Sequence, residues 1–404
     1  MSDDPVAVFY QQHPYPPPPS SLDGYQATWR DPVRRRAEFH LLFPGRAYCE
    51  DLDVLIAGCG TSQAVRHAMR WPQGRVVGID VSAASLQSTR ELAHRYNVGN
   101  LDIHELPIER VHELESEFDL IVSTGVLHHL ADPETGLLAL RSVLRHNGAA
   151  HLMIYARYGR IGVEMFQQYA RLLGIGASRA EIIDLANTLA AIPEDHPIVP
   201  LLRSSSDFGH PDALADALLN PRERSYPVPE LLAALDATGF SFRRWYRQAP
   251  YLPWCGAVAQ SPHAVKLQHL SPRNQYAAME LFRGSMVRHS LIAHRGDEDR
   301  PHEPFGSRWE QAVPIRLPET VIIEERLPPG AAAVLINRSH SYRDLVLPIS
   351  NAEKRVVMAI DGRRTVAETL AVSDLPNDRG RALYRRMWWY DQVVFDPNPL
   401  PRDW

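Results

Sequence analysis

The feature that most constrains the fold of this chain is a glycine turn directly after a short apolar run. Residues 53–57 read Asp-Val-Leu-Ile-Ala, and Gly58-Cys59-Gly60 follow before a helix-like stretch that reaches Met69. Glycines at a strand-to-helix turn let the backbone approach a ligand closely, and the helix N-terminus offers free N–H groups. The pattern predicts a buried strand, a ligand-binding turn and a helix. By itself, a G-x-G also fits a tight turn that binds nothing.

Strand and helix patterns alternate after this turn. Further strands are predicted at residues 75–80, 101–104, 118–123 and 149–155. Helices are predicted between them at about 83–96 and 133–145. This alternation indicates βαβ units and a mainly parallel sheet. Beyond it come a largely helical stretch over about 160–220, a helix at 228–237 and a strand at 240–246.

An acidic residue accompanies the glycine turn. Asp80 ends the second predicted strand, 20 residues after Gly60. A carboxylate in that place can accept hydrogen bonds from both hydroxyls of a ribose, and both nicotinamide enzymes and methyltransferases use this pair. The dinucleotide fingerprint requires a third glycine at position 63, where this chain has Gln63. A nicotinamide cofactor is therefore disfavoured.

Three segments together resemble the class I methyltransferases of bacteria. They are Ile56-Ala57-Gly58-Cys59-Gly60-Thr61, Gly78-Ile79-Asp80 and the run Phe118-Asp119-Leu120-Ile121-Val122-Ser123-Thr124-Gly125-Val126-Leu127-His128-His129-Leu130. The closest resemblance is to the group that includes tetratricopeptide-linked and rickettsial-type protein-lysine methyltransferases. Its N-terminal N-P-Y-P element is similar to His13-Pro14-Tyr15-Pro16, and residues 215–231 carry a looser likeness. The resemblance covers most of residues 10–250.

The resemblance implies an α/β fold and a cofactor. We expect a Rossmann-like class I methyltransferase domain with a mainly parallel seven-stranded sheet, which binds S-adenosyl-L-methionine. Because 404 residues are too many for one ordinary core, a second domain is also expected. The predicted division is a proline-rich arm at 1–50, a cofactor domain at 51–260 with a helical insertion at about 160–220, and a C-terminal domain at 261–404.

The resemblance also implies which residues hold the cofactor. Gly58 and Gly60 would pack under its methionine part, Asp80 would bind the ribose, and residues 123–125 would lie near the sulfonium. The full predicted set is Ala57, Gly58, Cys59, Gly60, Asp80, Val81, Leu106, Pro107, Ile108, Ser123, Thr124 and Gly125. Two positions depart from the family pattern. Ser62 replaces the usual third glycine, and Pro107 replaces an acid that often contacts the adenine, so that adenine recognition falls to Leu106, Ile108 or backbone groups.

Four residues are candidates for moving the proton of the methyl acceptor. An amine or hydroxyl must lose a proton as it is methylated, and the enzyme must align and desolvate it. The candidate catalytic residues are His128, His129, Tyr155 and Asp216. Neighbouring residues on an α-helix point about 100° apart, so only one histidine is expected to face the site. A packed histidine and a solvated aspartate are the alternative interpretations.

The proline-rich arm has two interpretations. Consecutive prolines at 16–19 favour an extended path, as in a stiff linker or a disordered tail. Alternatively, the arm lies over the mouth of the main domain, with Tyr10 and Tyr15 facing inward as candidate substrate-binding residues. Together with Tyr155 they could form an electron-rich cage around a cationic amine, or they could be ordinary core residues.

The C-terminal region predicts a small α+β domain. An amphipathic helix is predicted at 276–295, and a second helix ends near Gly362. Thr365 and Glu368 have the spacing of a capping box, and residues 387–395 predict a helix that leads into a strand. This pattern resembles winged-helix-like domains of peptide-binding chaperones and of the regulatory segment of some methyltransferases. The resemblance implies substrate docking or dimerisation, with a stabilising packing domain as the alternative.

Composition narrows the partners and the compartment. A net charge of -5 gives no basic footprint, which disfavours nucleic acid as a partner. Three scattered cysteines offer no metal-ligand spacing, and no apolar run reaches the length that spans a membrane. The acidic N-terminus lacks the order of a secretory signal, so the cytoplasm is the expected location, and the resemblance implies a bacterial source.

Three functions remain open from the sequence. The first is methylation of a protein or peptide side chain, lysine above all, as the resemblance implies. The second is O- or N-methylation of a small molecule in a biosynthetic pathway, because one cofactor domain serves many acceptors. The third is a catalytically silent scaffold that binds the cofactor while the C-terminal region recruits a partner.

Overall fold

The chain divides into two compact units. The computed structural model describes residues 4–296 and 304–398. Among the described residues, the first unit comprises 4–26, Asp51–Phe240 and Gly284–Ser290. The second comprises Ala27–Glu50, Ser241–Arg283 and the described residues from Leu291 onward. The three-part division predicted from the sequence stays a prediction, and residues 1–3, 297–303 and 399–404 of its outer parts lie outside the described residues.

A seven-stranded sheet confirms the predicted α/β fold. Its strands are β1 (Asp53–Ala57), β2 (Arg75–Asp80), β3 (Leu101–Glu105), β4 (Phe118–Thr124), β5 (Leu144–Tyr155), β6 (Phe240–Trp245) and β7 (Arg288–Arg295). They are ordered β3-β2-β1-β4-β5-β7-β6 across the sheet. The four pairings among β1 to β5 are all parallel. Since parallel strands end at the same edge, the residues that follow β1, β2 and β4 come close together.

Helices join the strands as the periodicity predicts. From the N-terminus to residue 240 they are α1 (Pro5–Gln12), α2 (Asp23–Trp29), α3 (Pro32–Leu42), α4 (Gln63–Arg70), α5 (Ala83–Arg95), α6 (Pro133–Ser142), α7 (Ile161–Leu173), α8 (Arg179–Leu189), α9 (Val199–Ser204), α10 (Pro211–Leu219) and α11 (Val228–Ala237). The central strands β1 and β4 are almost wholly buried. Burial on both faces explains why both strands read as continuous apolar runs rather than as alternating ones.

The stretch over about 160–220, which the sequence predicts to be largely helical, contains α7 to α10. Its buried face includes Val163, Phe166, Leu185 and Leu214, which form one apolar cluster. Phe9 of α1 belongs to the same cluster. Asp4 caps α1 by accepting a hydrogen bond from the backbone N–H of Val6 at 2.8 Å. A free linker or disordered tail is therefore wrong for residues 5–12, because burial of the Phe9 ring holds this helix against the insertion.

The second unit contains two small antiparallel sheets and several helices. Its further elements are α12 (Ala264–Gln268), α13 (Pro272–Arg283), β8 (Val313–Arg316), β9 (Thr320–Ile323), β10 (Ala333–Asn337), β11 (Val346–Ile349), α14 (Asn351–Ala359), α15 (Val366–Leu370), α16 (Asn377–Trp389) and β12 (Val393–Asp396). One sheet has the order β11-β10-β9, and the other pairs β12 with β8. The capping box of Thr365 and Glu368 begins α15 as predicted. This mixture confirms the expected α+β character.

The predicted helix over residues 276–295 is wrong beyond Arg283. There α13 ends, and Gly284 adopts the left-handed conformation with a φ of 62° that commonly terminates helices. Residues 288–295 form β7 instead. Pairing within the sheet decides the conformation of this short apolar segment, and its local sequence pattern does not reveal that pairing.

Within residues 4–296 and 304–398, none of the helices has both the length and the apolar character needed to cross a bilayer. The helices of the sheet domain are instead short. Most of them carry one buried face, as in α4 and α5.

We predict that Leu55→Ala lowers the free energy of unfolding by about 2–5 kcal/mol, because Leu55 is fully buried in the central strand and its loss leaves a cavity. Leu138→Ala is the matched control, since Leu138 on α6 is 52% exposed and should change stability by less than about 0.5 kcal/mol. Urea denaturation followed by circular dichroism measures both. Equal effects of the two substitutions would contradict the assignment of β1 to the core.

Candidate functional site

The turn after β1 has the geometry that only glycine adopts readily. Gly58 and Gly60 have φ angles of 76° and 53°. The backbone N–H groups of Gly58 and Cys59 both donate to the carbonyl oxygen of Ile79 at 2.9 Å. A Cβ atom on Gly58 would lie 2.3 Å from a methyl carbon of Val126. Backbone conformation and close packing therefore both require glycine at position 58.

Asp80 lies beside this turn, at the end of β2. Its carboxylate accepts hydrogen bonds from the backbone N–H of Gly60 at 2.8 Å and from that of Ser82 at 2.9 Å. Burial raises the pKa of this half-buried carboxyl group, and the backbone N–H groups of Ser82 and Gly60 oppose the rise. Each carboxylate oxygen can still accept a further bond, so the pair of oxygens fits the two hydroxyls of a ribose.

Apolar residues continue from Asp80 along the sheet edge. Leu106 and Ile108 are buried, and the backbone N–H of Leu106 donates to the carbonyl of Asp80 at 3.0 Å. Pro107 precedes the 3-10 helix Ile108–Leu114. Ala57 and Cys59 are buried and Val81 is half-buried. The predicted nucleoside-binding residues therefore adjoin the turn, and their apolar surfaces suit the face of an adenine ring.

The end of β4 completes this edge. Ser123 is fully buried, and its hydroxyl has no hydrogen-bond partner within the described residues. The hydroxyl of Thr124 donates to the side-chain oxygen of Gln63 at 2.8 Å. Gly125 has a φ of 80°, and its N–H donates to the carbonyl of Met153. A buried hydroxyl without a partner costs free energy, which a bound polar ligand can recover.

The N-terminal arm reaches the same turn. The hydroxyl of Thr61 donates to the carbonyl of Pro16 at 2.6 Å, and that of Ser82 donates to the carbonyl of Tyr10 at 3.1 Å. A Cβ atom on Gly60 would lie 3.5 Å from the carbonyl oxygen of Tyr15. Residues 10–16 therefore lie against the glycine turn, as the covering interpretation of the arm expects.

A buried polar cluster joins the arm to α10. The hydroxyl of Tyr10 donates to Asp216 at 2.6 Å. The amide of Asn220 donates to the Tyr10 oxygen at 3.1 Å and to Asp216 at 3.4 Å. Asp216 is only 3% exposed, so a solvated helix carboxylate is wrong for this residue. Sequence reasoning missed Asn220, although its spacing of four residues from Asp216 places both on one face of a helix.

The two candidate histidines lie against Tyr155. Their ring centroids are 3.9 Å (His128) and 6.0 Å (His129) from that of Tyr155. Leu127–His129 form a single 3-10 turn rather than the start of an α-helix. Both histidine rings nevertheless pack near Tyr155, and which of them faces the methyl acceptor stays a prediction. The α-helix begins later, at Pro133.

The histidines differ in their hydrogen bonding. Neither ring nitrogen of His128 has a partner within the part of the chain that the structure describes. Burial, followed by His129 and Arg160, holds the pKa of His128 well below its usual range, which keeps this ring neutral. The Nδ1 of His129 is 2.7 Å from the carbonyl oxygen of Arg222, to which it donates.

Tyr155 is surrounded on both ring faces. The guanidinium carbon of Arg160 lies 3.6 Å from its ring centroid, in addition to the His128 ring at 3.9 Å. Burial and the nearby Asp216 raise the pKa of Tyr155, so its hydroxyl stays protonated near neutral pH. The Tyr155 ring cannot offer a free face to a cationic amine, which removes it from the predicted cage. Arg160 was missed because nothing in its local sequence marks it.

Comparison with known proteins supports the same fold and chemistry. Residues 55–150 match a family model described as a methyltransferase domain. The chain is 29% identical over 288 residues to an uncharacterized protein of Synechococcus sp., which covers 68% of each chain. It is 28% identical over 184 residues to trans-aconitate 2-methyltransferase of Deinococcus radiodurans, which covers 40% of this chain and 67% of the relative.

Among solved structures, PKMT2 from Rickettsia typhi in complex with AdoHcy superposes with a TM-score of 0.65. The match covers 91% of this chain and 76% of that chain at 13% identity. At this identity the likeness shows the fold.

The residues present at the sheet edge fit S-adenosylmethionine. The turn has backbone without side chains at Gly58 and Gly60, the Asp80 oxygens suit a ribose, and Leu106 and Ile108 suit an adenine. The unpartnered Ser123 hydroxyl adds a donor beside them. We propose that these residues hold the cofactor, with Ser62 accommodated at the position of the usual third glycine because it is buried at the start of α4.

We predict that Asp80→Asn weakens binding of S-adenosylhomocysteine at least about tenfold, because the ribose loses a charged hydrogen-bond acceptor. Calorimetric titration at neutral pH measures the change, and circular dichroism checks that the fold is retained. In the native chain, affinity should fall on acidification, because protonation of Asp80 removes the same acceptor. The raised pKa places this loss at a higher pH than for an exposed aspartate. Unchanged affinity in Asp80→Asn would contradict the ribose contact.

Three observations indicate S-adenosylmethionine as the cofactor: the glycine turn, Asp80 at the end of β2, and the match of residues 55–150 to a methyltransferase domain. The order of the strands and the parallel pairing of β1 to β5 agree with the Rossmann-like fold of class I methyltransferases. The chain therefore contains a methyltransferase domain with the class I fold and uses S-adenosylmethionine as its cofactor.

Proposed function

We propose that the chain methylates a side-chain amine of a protein or peptide, with lysine as the favoured acceptor. The observation that carries this proposal is the environment of Asp216. Its carboxylate is buried, and its hydrogen-bond donors are the neutral groups of Tyr10 and Asn220. Within the described residues it forms no ion pair. A buried carboxylate is costly without a cationic partner, and a lysine ammonium supplies one.

Asp216 is also better suited than Tyr155 to accept a proton. Tyr10 and Asn220 fix the orientation of its carboxylate. Burial raises the pKa of the Tyr10 and Tyr155 hydroxyls, so both favour the protonated form and serve as hydrogen-bonding groups rather than bases. When bound, S-adenosylmethionine supplies a methyl group whose bond to sulfur breaks as a lone pair attacks. Asp216 can take the proton that an ammonium must release to expose that lone pair.

The charges around this cluster favour a cationic acceptor over an acidic one. Arg160 is paired with Glu223 at 2.8 Å, and Arg222 is paired with Asp4 at 3.2 Å. These cations are therefore already neutralised. The Deinococcus relative is named for trans-aconitate, an anion that would need unpaired cations in its site. The likeness of His13–Pro16 to the protein-lysine group also supports an amine acceptor.

The proposal can be tested without knowing the acceptor in advance. The purified chain is incubated with methyl-labelled S-adenosylmethionine and an extract of cells that lack the gene, and macromolecular products are separated from small ones. The proposal expects label in protein, recovered as methylated lysine after acid hydrolysis. Label confined to small molecules would replace it with a biosynthetic methyltransferase. Cofactor binding without transfer to either fraction would favour the scaffold.

We predict that Asp216→Asn lowers the rate of transfer about 100-fold or more, because the site loses both the counterion and the proton acceptor. Binding of S-adenosylhomocysteine should change less than about twofold, since the substitution keeps the shape of the side chain. Asp184→Asn is the matched control: Asp184 is an exposed carboxylate on α8 of the same insertion. Equal rates in Asp216→Asn and Asp184→Asn would contradict a role of Asp216 in transfer.

A further inference from the structure

Tyr155 is clamped between two side chains. The His128 ring lies 3.9 Å from its centroid with an interplanar angle of 32°, and the Arg160 guanidinium lies at 3.6 Å. Planar groups keep about 3.5 Å between their atoms, so two groups this close to one centroid cannot share a face. His128 and Arg160 therefore occupy opposite faces of the ring. The ring can neither tilt nor slide without breaking one of these contacts.

The Arg160 side of the clamp is anchored by a buried ion pair. One guanidinium nitrogen of Arg160 donates to both carboxylate oxygens of Glu223, at 2.8 and 2.9 Å. The amide of Gln167 donates to Glu223 at 3.2 Å and to the carbonyl of Ala217 at 2.9 Å. Arg160 is only 6% exposed. This chain of contacts ties the clamp to α7 and α10, the second of which carries Asp216.

The clamped ring adjoins the polar cluster. Burial is the main cause of the raised pKa values of Tyr155 and Tyr10, and the nearby Asp216 adds to both rises. The His129 ring packs edge-to-face against both Tyr10 and Tyr155, with centroids 6.1 and 6.0 Å away. A displacement of Tyr155 would therefore disturb the His129 ring, which also contacts Tyr10, the hydrogen-bond donor to Asp216.

We infer that Arg160 and Glu223 are positioning residues for methyl transfer. The ion pair fixes the Tyr155 ring, and through the His129 ring it also fixes Tyr10 at the proposed acceptor end of the site, which comprises Tyr10, Asp216 and Asn220. A buried ion pair adds little stability over apolar residues of the same volume, so stability alone does not explain its presence. A planar guanidinium stacks on an aromatic ring, whereas the ammonium of lysine is a point charge. The role of the acceptor end in this inference rests on the proposed function.

The test uses the full chain with three changes. Arg160→Lys keeps the charge and removes the planar stacking group. Arg160→Met combined with Glu223→Gln removes the ion pair without leaving a buried charge. Arg157→Lys is the matched control, because Arg157 lies three residues earlier and forms an exposed pair with Glu230 at 3.5 Å. Thermal unfolding of each variant establishes the folded fraction.

Two readouts follow the role of the ring. The first is the flip rate of Tyr155, measured by NMR on ring-labelled tyrosine and assigned with Tyr155→Phe. The second is total transfer of label from methyl-labelled S-adenosylmethionine, into macromolecular and small products together, at varied cofactor concentration. Counting both products keeps this test independent of which acceptor class is correct.

In both Arg160→Lys and the double variant, the Tyr155 ring should flip faster than in the native chain. The kcat of each should fall about tenfold or more, because the residues packed on Tyr155 no longer hold the acceptor in line with the methyl group. The KM for the cofactor should change less than about twofold, and Arg157→Lys should match the native chain. Should the double variant fail to fold, Arg160→Lys alone decides. An unchanged flip rate in a folded variant, or a faster ring with an unchanged kcat, would overturn the inference.

Discussion

The hydrogen bond from the backbone N–H of Gly60 to the carboxylate of Asp80 is the contact on which the site depends. It joins the tips of β1 and β2, two parallel strands in register from Asp53 and Arg75 to Ala57 and Ile79. The same register lets the turn donate two further bonds to the carbonyl of Ile79. The glycine turn and the oriented Asp80 carboxylate therefore lie side by side at the edge of the sheet, which is the arrangement that a ribonucleoside ligand requires.

The N-terminal arm connects this contact to the proposed acceptor end of the site, at Tyr10, Asp216 and Asn220. Pro16 bonds to Thr61 beside the glycine turn, and Tyr10 bonds to Ser82 through its backbone and to Asp216 through its hydroxyl. Phe9 anchors α1 in the apolar cluster of the insertion. One short segment therefore contributes to both halves of the site. Its position explains why a tyrosine ten residues into the chain can belong to a cluster whose other members come from α10 and its C-cap.

Much of the fold could be predicted from the sequence because its signals are local. The predicted helix at 228–237 coincides with α11, and the predicted strand at 118–123 differs from β4 by one residue. Apolar runs, the glycine turn and capping residues fix such elements within a few neighbours. The strand β7 was missed because its pairing partner is distant in sequence, and Gly284 was the local signal that the helix ends there.

The parts of the candidate site that belong to a sequence motif could be predicted. The parts that depend on packing between distant residues could not. Gly58, Gly60 and Asp80 follow from their spacing, and the structure brings them together. Arg160 and Glu223 are 63 positions apart in the sequence, and no hydrophobic periodicity or motif predicts that they form an ion pair. Burial decides the character of Asp216 and His128, and burial depends on neighbours from several elements. The sequence therefore leaves the general base open, whereas the contacts of Asp216 favour one candidate.

The most direct test of the account is a crystal structure of the chain with S-adenosylhomocysteine. The account predicts that the nucleoside lies against residues 58–60, with ribose oxygens within hydrogen-bond distance of the Asp80 carboxylate and the sulfur toward Ser123. Density for the nucleoside elsewhere on the chain, or an Asp80 carboxylate that makes no contact with the ribose, would contradict it.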